Sequence, residues 1–418
     1  MTDKNVSSNT DTGIIMTEPK RMYVGIDSGK NKHQVSFLNP AEVKKDLKIG
    51  NDREGFTALT KRLKSYRQRG YQLQVACEPT GHYWNNLGRE LKEEGFEVKL
   101  INPFHTSRYK EIFDNTPQKD DKKDSSIIAH LLKQGRALHE NLLENPYAGL
   151  RELTHMREDL LVEKNRLTNK LHQWLDLRFP EYPKLFSKLL GTTCLGLLKE
   201  YEGAEGMREA SLEELTEKIH SLSRGQLGVK RAQQIKERAE ETIGHTVAPQ
   251  AARIELNYLL SRIILLLDGI KRVEGVIEER LDEMEESPYL LSIPGVGSWG
   301  AAVFLGEVGD PTRLPRARSA VKMAGLNLWR TQSGESESGL SITRRGRSLL
   351  RKMAYQLAVV SPAYNEEFDD FYQRKLDRGK AKPNALVALG AKILRVMYGV
   401  VKNGEEYRPL EERTKGRV

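Results

Sequence analysis

The order of apolar segments between Arg21 and Asn102 constrains this chain more than any other feature. Three segments of strand character come first, at Met22–Asp27, about His33–Leu38 and about Val43–Ile49, with a Ser28-Gly29-Lys30-Asn31 turn after the first. Their short connections predict a meander. Asp52 is placed to cap a helix running to about Gly70, with Phe56, Leu59 and Leu63 on its buried side. A strand ending at Glu78, a helix after Pro79-Thr80-Gly81 to about Gly95, a strand Phe96–Ile101 and a helix over 121–137 follow. The last helix carries Ile127, Ile128, Leu131 and Leu132 as its apolar face. Three meander strands followed by alternating helices and strands predict an α/β unit.

This is the order of a ribonuclease H fold, and it gives four carboxylates a common address. Asp27 closes the first strand and Glu78 the fourth, at neighbouring strand ends. Asp121 and Asp124 stand three apart at the start of the last helix, so their side chains share a face. Phosphodiester cleavage uses divalent ions that polarise the phosphate and steady the attacking and leaving oxygens, commonly two ions about 3.5–4 Å apart. Magnesium takes oxygen ligands, so a few carboxylates and waters suffice. Any one of these acids alone would read as solvated or capping. Together, in fold order, they predict a site for Mg2+, with Mn2+ as a substitute. Asp120 is a third candidate for the two helical places; Asp121 is preferred because it shares the face of Asp124. The nine histidines show no metal-ligand spacing, and His82 reads as packing at a helix start.

Beyond this unit the pattern turns helical. A charged helix from about Leu150 to Phe179 places Leu153, Met156, Leu160, Leu167, Leu171 and Trp174 inward. A second, about Ala251–Glu286, repeats Leu259, Ile263, Leu266, Ile270, Val273 and Ile277 at 4-3-4-3-4 spacing, the seam of a coiled coil. An intramolecular hairpin and a dimer zipper both satisfy that seam. The expected divisions are an arm over 1–20, an α/β domain over 21–147 and a coiled-coil domain over 148–287 with a helical insertion at about 180–247. A small, mostly helical domain over 288–402 and a tail over 403–418 follow.

The C-terminal part carries the positive charge. Arg313–Lys352 holds ten basic residues against Glu335 and Glu337, an excess of eight beside a net charge of +9 for the whole chain. Such a segment suits phosphate neutralisation by counterion release. Ahead of it, Ser292-Ile293-Pro294-Gly295-Val296-Gly297 looks like a helix-hairpin-helix turn, in which Gly295 and Gly297 let backbone N–H groups face a phosphate; a plain tight turn has the same pattern. The segment Arg330-Thr331-Gln332-Ser333-Gly334, followed by Arg344, Arg345, Arg347 and Arg351, offers a hydroxyl beside cations able to hold a pentavalent phosphate. Spacing alone does not select Ser333, because serines in Gly/Ser-rich loops are ordinarily structural.

Two cysteines, Cys77 and Cys194, make neither a zinc site nor a disulfide framework and fit a reduced compartment. No apolar run is expected to span a membrane, and residues 1–20 lack the apolar centre of a signal peptide. A reduced intracellular compartment is the default expectation.

Taken in order, these motifs resemble the DEDD transposases of the insertion sequence 110 family, relatives of the Piv-type DNA invertases. The carriers are Gly25-Ile26-Asp27, Glu78-Pro79-Thr80-Gly81-His82-Tyr83-Trp84, Asp121-Lys122-Lys123-Asp124, Ser292–Gly297, Ala324-Gly325-Leu326, Gln332-Ser333-Gly334, Arg345-Gly346 and Leu350-Arg351. The resemblance implies a RuvC-like first domain whose acidic tetrad is Asp27, Glu78, Asp121 and Asp124, and a transposase domain whose nucleophile is Ser333. It also implies excision and insertion of a mobile element, double-stranded DNA at element ends and target as partner, and a structured guide RNA. A site shared between subunits of a dimer or tetramer held by the coil follows from the separation of the two halves. This chain departs from the family's pattern at Asp120, Ser125 and Leu328. Two other classes of function fit the same residues: a nucleic-acid-binding protein with a structural acidic cluster, and a RuvC-like junction nuclease that uses water.

Overall fold

The structure is a computed structural model that describes residues 20–42, 44–79, 81–113, 121–137, 143–329, 332–333, 336–337 and 341–409. The chain divides into two compact units between Leu143 and Glu144. The first contains β1 (Arg21–Ser28), β2 (Lys32–Leu38), β3 (Lys44–Gly50), α1 (Arg53–Gln68), β4 (Gln72–Cys77), α2 (Trp84–Glu93), β5 (Val98–Leu100), α3 (Pro103–Phe113) and α4 (Asp121–Lys133). The sheet order is β3-β2-β1-β4-β5. β1, β2 and β3 pair antiparallel, whereas β4 joins β1 and β5 joins β4 in parallel. The mixed five-stranded sheet accords with a ribonuclease H-like domain.

Each sheet face has its own core. Val24, Ile26, Val35 and Val75 pack with Phe56, Leu59, Leu63 and Leu87 of α1 and α2. Tyr23, Leu38 and Ala76 face Ile127, Ile128, Leu131 and Leu132 of α4. Alternation along β1 sends successive side chains to these two faces, as a strand buried on both sides requires. Asp52 caps α1 as expected, its carboxylate accepting from Gly55 N at 2.8 Å.

The second unit opens with α5 (Tyr147–Arg178), then a 3-10 turn (Tyr182–Leu185), α6 (Thr192–Tyr201), α7 (Ala204–Glu209), α8 (Leu212–Leu222), α9 (Val229–Glu240) and α10 (Pro249–Asp282). It continues with α11 (Ser287–Leu291), α12 (Ser298–Val308), α13 (Ala317–Met323), the short strands β6 (Leu328–Trp329), β7 (Gln332–Ser333), β8 (Ser336–Glu337) and β9 (Ser341–Ile342), and α14 (Ser348–Val360), α15 (Glu366–Asp377) and α16 (Lys382–Asn403). α5 and α10 pack along their lengths. Trp174 Nε1 donates to Ala252 O at 3.0 Å, and Arg157 pairs with Glu274 at 2.6 Å.

Four expectations meet the structure here. The residues of the α10 seam, Leu259 through Ile277, are all below one-tenth exposed within the single chain. α5 and the flanking cores fill that stripe, so the hairpin accounts for the heptad pattern and the same seam cannot also zip to a second copy. Met156, expected inward on α5, is 52% exposed, and Leu150 and Thr154 are buried in its stead. The two ends of the coil pack into different cores. Its outer half (Leu167, Leu171, Leu256, Leu260) shares a core with α6, α8 and α9, and its inner half (Val273, Ile277, Leu281) shares one with α12, α14 and α16. A two-helix seam buries too little to stand alone, so each end borrows a neighbour. Finally, α16 is long and apolar enough by composition to cross a membrane. Its Leu389, Ile393, Leu394 and Met397 are instead fully buried in the core of this unit.

Candidate functional site

Register brings the first two acids together. The last parallel pair of β1 and β4 is Ile26 with Cys77, so the next residues, Asp27 and Glu78, leave adjacent strands side by side. Both are partly buried. α4 crosses β1, β2 and β4 on one face. It comes this close because position 25 is glycine: a Cβ there would stand 2.2 Å from Ser125 O and 2.4 Å from Ala129 N. Ser125 is buried, with its Oγ 2.8 Å from Ser36 Oγ. Ser36 gives its one proton to Asp46 Oδ1 at 2.7 Å, so Ser125 must donate to Ser36. This chain of hydroxyls fastens the helix to the sheet one residue after Asp124. Asp121 begins α4, and its side chain lies outside the described residues, as does Asp120.

The electrostatics of this corner are set by α3, a helix absent from the sequence reading. Lys110 Nζ lies 2.7 Å from Asp124 Oδ2. Burial is the largest influence on Glu78 and raises its pKa; Thr106 and Lys110 oppose that rise, and the charge of Asp124 reinforces it. The Thr106 hydroxyl can donate either to Glu78 or to Pro103 O, 2.9 Å away. Burial likewise pushes the Cys77 thiol up, so it is neutral and inert. Among the described residues, no three His, Cys, Asp or Glu side chains stand close enough together to hold a metal ion. The donor type nevertheless suits a hard divalent cation: carboxylates stand at a strand end, in a loop and on a helix, and the Lys110 ammonium lies beside Asp124.

The sequence contained a signal for α3. Asn102 Oδ1 accepts from Phe104 N at 3.0 Å and Pro103 is the first helical residue, which is a capping pair of residues.

The basic part of the second unit is a loop pressed onto a turn. Arg344 has φ 52°, a left-handed conformation costly for a residue with a side chain. Its N–H donates to Gly325 O at 3.0 Å, and Arg347 N–H donates to Met323 O at 2.6 Å. A Cβ at Gly346 would stand 2.3 Å from Met323 O, and one at Gly325 would stand 2.9 Å from the Arg344 carbonyl carbon. Arg344 and Arg345 are exposed. Arg347 and Arg351, expected on phosphates, are turned inward. Arg351 Nη1 donates to Ala324 O at 2.9 Å and to Arg344 O at 3.2 Å. Arg347 Nη1 lies 3.4 Å from Glu307 Oε2, and burial lowers the Arg347 pKa to about 10.

Glu307, on α12, is the anchor that sequence reasoning missed. It is 1% exposed, 2.6 Å from His155 Nε2 and 3.8 Å from Arg151 Nε. Burial alone would raise its pKa, but His155, Arg151 and Arg347 outweigh burial and hold the carboxyl below its ordinary value. A glutamate inside the apolar run of α12 was the available signal, since an unpaired buried charge is so costly.

Gly295 has φ 89° and packs against Ser361, whose Cα would lie 2.7 Å from an added Cβ. Gly297 is exposed at the start of α12 with open space where a Cβ would be. Ser333 lies in β7, paired with Ser336 of β8. Its side chain and all of Arg330 lie outside the described residues.

Comparison with known proteins joins the two charged regions into one family. A family described as "Transposase", of the DEDD type, matches residues 24–180, and one described as "Transposase IS116/IS110/IS902 family" matches residues 287–373. The insertion element IS110 uncharacterized 43.6 kDa protein of Streptomyces coelicolor is 24% identical, covering 94% of this chain and 96% of its own. The pilin gene-inverting protein of Moraxella lacunata is 22% identical over 94% and 98%. The transposase for insertion sequence element IS1328 of Yersinia enterocolitica is 22% identical over 82% and 84%. With an acid-bearing mixed sheet in its first unit and a basic loop in its second, the chain belongs to the IS110 family of transposases.

Proposed function

We propose that this transposase is a magnesium-dependent, serine-using DNA recombinase guided by an RNA encoded in its own element, acting in the cytoplasm. Membership of a DEDD family implies dependence on a divalent metal in general; the choice of magnesium rests on the all-oxygen donor set. The observation that carries the reading is the emergence of Asp27 and Glu78 from adjacent strands with Asp124 held across them. When bound, the metal would polarise a DNA phosphate and stabilise the oxygens around it. Asp27, Glu78, Asp121 and Asp124 would hold it, and Lys110 would have to release Asp124 for that carboxylate to serve as a ligand.

Ser333 attacks the phosphorus: its Oγ–P bond forms, the bond to one deoxyribose oxygen breaks, and the departing strand end takes up a proton. The strand is kept as a phosphoserine ester, so its bond energy is available for joining to a new end. Arg344 and Arg345, exposed on the braced loop, contact DNA phosphates, with Arg330 beside them. The protein acts as a homo-oligomer, dimer or tetramer, with each site shared between subunits. Exposed Ile254, Tyr258 and Leu265 on the outer side of α10 support an association through that helix away from its filled seam.

A suicide-substrate assay tests this reading. A protein–DNA adduct that requires a divalent metal and disappears in Ser333→Ala is the expected result. Cleavage that survives Ser333→Ala would mean hydrolysis by water, and metal-independent binding without cleavage would leave only a binding protein.

A further inference from the structure

The second unit contains a groove of about 1070 Å3 between α13, the β6–β9 ladder, α15 and α16. Six cations line it: Arg318, Arg344, Arg345, Lys375, Lys380 and Arg395. Among the described residues, no carboxylate lines it. Three of these cations, Lys375, Lys380 and Arg395, come from the C-terminal helices and their connection, far in sequence from the basic segment. Leu326, Val387, Ala388 and Ala391 give the lining an apolar part, and Asn327 and Asn384 also line it.

We propose that this groove holds an unpaired stretch of polynucleotide, its phosphates on the cations and its bases against the apolar part of the lining. The argument is one of chemistry. A duplex presents phosphates outward and hides the faces of its bases, so it would satisfy the cations and leave the apolar part uncovered. An unpaired strand offers both an anionic backbone and apolar base faces, the pairing that single-strand grooves use. Asparagine amides match the hydrogen-bonding edges of an exposed base. Sites for one small ligand run to about 300–1,000 Å3, so this open groove has room for more than one nucleotide. The proposal rests on the recombinase reading only in requiring a polynucleotide.

The test is equilibrium binding by the full-length protein without divalent metal, using labelled dT8, rU8 and an eight-base-pair duplex hairpin. The variant is Lys380→Ala with Arg395→Ala, both exposed residues, and the charge-matched control is Lys230→Ala with Arg231→Ala on α9. The groove variant is expected to bind single strands about 10-fold more weakly, with the salt slope reduced by about 1.4 for two lost phosphate contacts. The control should match the unaltered protein, and the hairpin should lose far less. The dT8 and rU8 arms show whether the strand is DNA or RNA. Equal weakening for hairpin and single strand, or unchanged single-strand binding, would overturn the proposal while leaving the recombinase reading intact. Failure of the unaltered protein to bind any of the three would count against both.

Discussion

The acidic corner of the first unit and the arginine loop of the second are both charged, yet they are built in opposite ways. Asp27 and Glu78 meet because two strands are in parallel register, and the backbone ladder does the positioning. Arg344 and Arg345 are held by residues scattered from 151 to 351: two glycines that admit close backbone contact, an arginine bonded to carbonyl oxygens, and a buried glutamate. In the first region chemistry and folding reside in different atoms. In the second they share the same ones. Substitutions should therefore separate function from stability in one place and merge them in the other.

The largest effect is expected at the acids. Asp27→Ala and Asp124→Ala each remove a carboxylate proposed to hold metal and should lower strand cleavage about 1000-fold or more, since metal-ion catalysis supplies several kcal/mol. Thermal unfolding and DNA binding should stay close to those of the unaltered protein, because neither acid holds a core. Full recombination by Asp124→Ala would remove that residue from the site.

Glu307→Gln should do the reverse. It leaves Arg347 and Arg151 without their buried counter-charge, a loss of about 3–5 kcal/mol when one partner of a buried pair is removed. The unfolding transition of the second unit should move down in temperature while that of the first is unchanged. The pH dependence follows from the sign of the shift. Glu307 has a depressed pKa, so the unfolded chain binds its proton first as acid is added. Its stabilisation is present above about pH 4.5 and is lost as pH falls through the depressed value. In Glu307→Gln that acid limb should flatten; an unchanged limb would mean the cluster does not carry it.

The same contrast explains what the sequence disclosed. Strand order, the Asp52 cap and the positions of Asp27 and Glu78 are local signals, readable from period-two alternation and from where each apolar run ends. The inward turn of Arg347 was not readable, because its cause, Glu307, lies forty residues away on a helix buried all round. The seam of α10 was recognised as a seam, but its partner was not: heptad spacing specifies a stripe and is silent on whether the same chain fills it. α3 was missed because its apolar residues show weak helical periodicity, although Asn102-Pro103 marked its start. The helix that brings Lys110 to Asp124 thus had a legible beginning and no legible face.

Gly25→Ala probes the joint between register and helix. The added methyl would lie within 2.4 Å of two backbone atoms of α4. Backbone cannot move as a side-chain tip can, so α4 must lift from β1, at about 1–3 kcal/mol for overpacking. Because Ser125 and Asp124 are adjacent, the shift should also displace the carboxylate. The expected outcome is partial loss of stability together with cleavage reduced well beyond what the lost stability explains. Loss of stability with full cleavage would show that the acids tolerate movement of the helix.

The smallest effect is expected on the arginine loop, and it divides that loop into the parts that face solvent and the parts that brace. Arg344→Ala with Arg345→Ala removes two exposed cations and, at position 344, a side chain from a left-handed backbone that alanine does not relieve. Stability should change little, while the salt slope for single-stranded DNA should fall by about 1.4 for two lost phosphate contacts. Arg347→Ala should behave otherwise. Its guanidinium faces Glu307, so removing it should lower stability and leave the slope nearly as it was. Equal slopes for all three proteins would mean that neither the Arg344–Arg345 pair nor Arg347 touches phosphate and that the loop's cations serve only to hold its shape. A lower slope in Arg347→Ala at unchanged stability would mean that this arginine leaves Glu307 when DNA binds, and the brace would then be a store of charge released on contact.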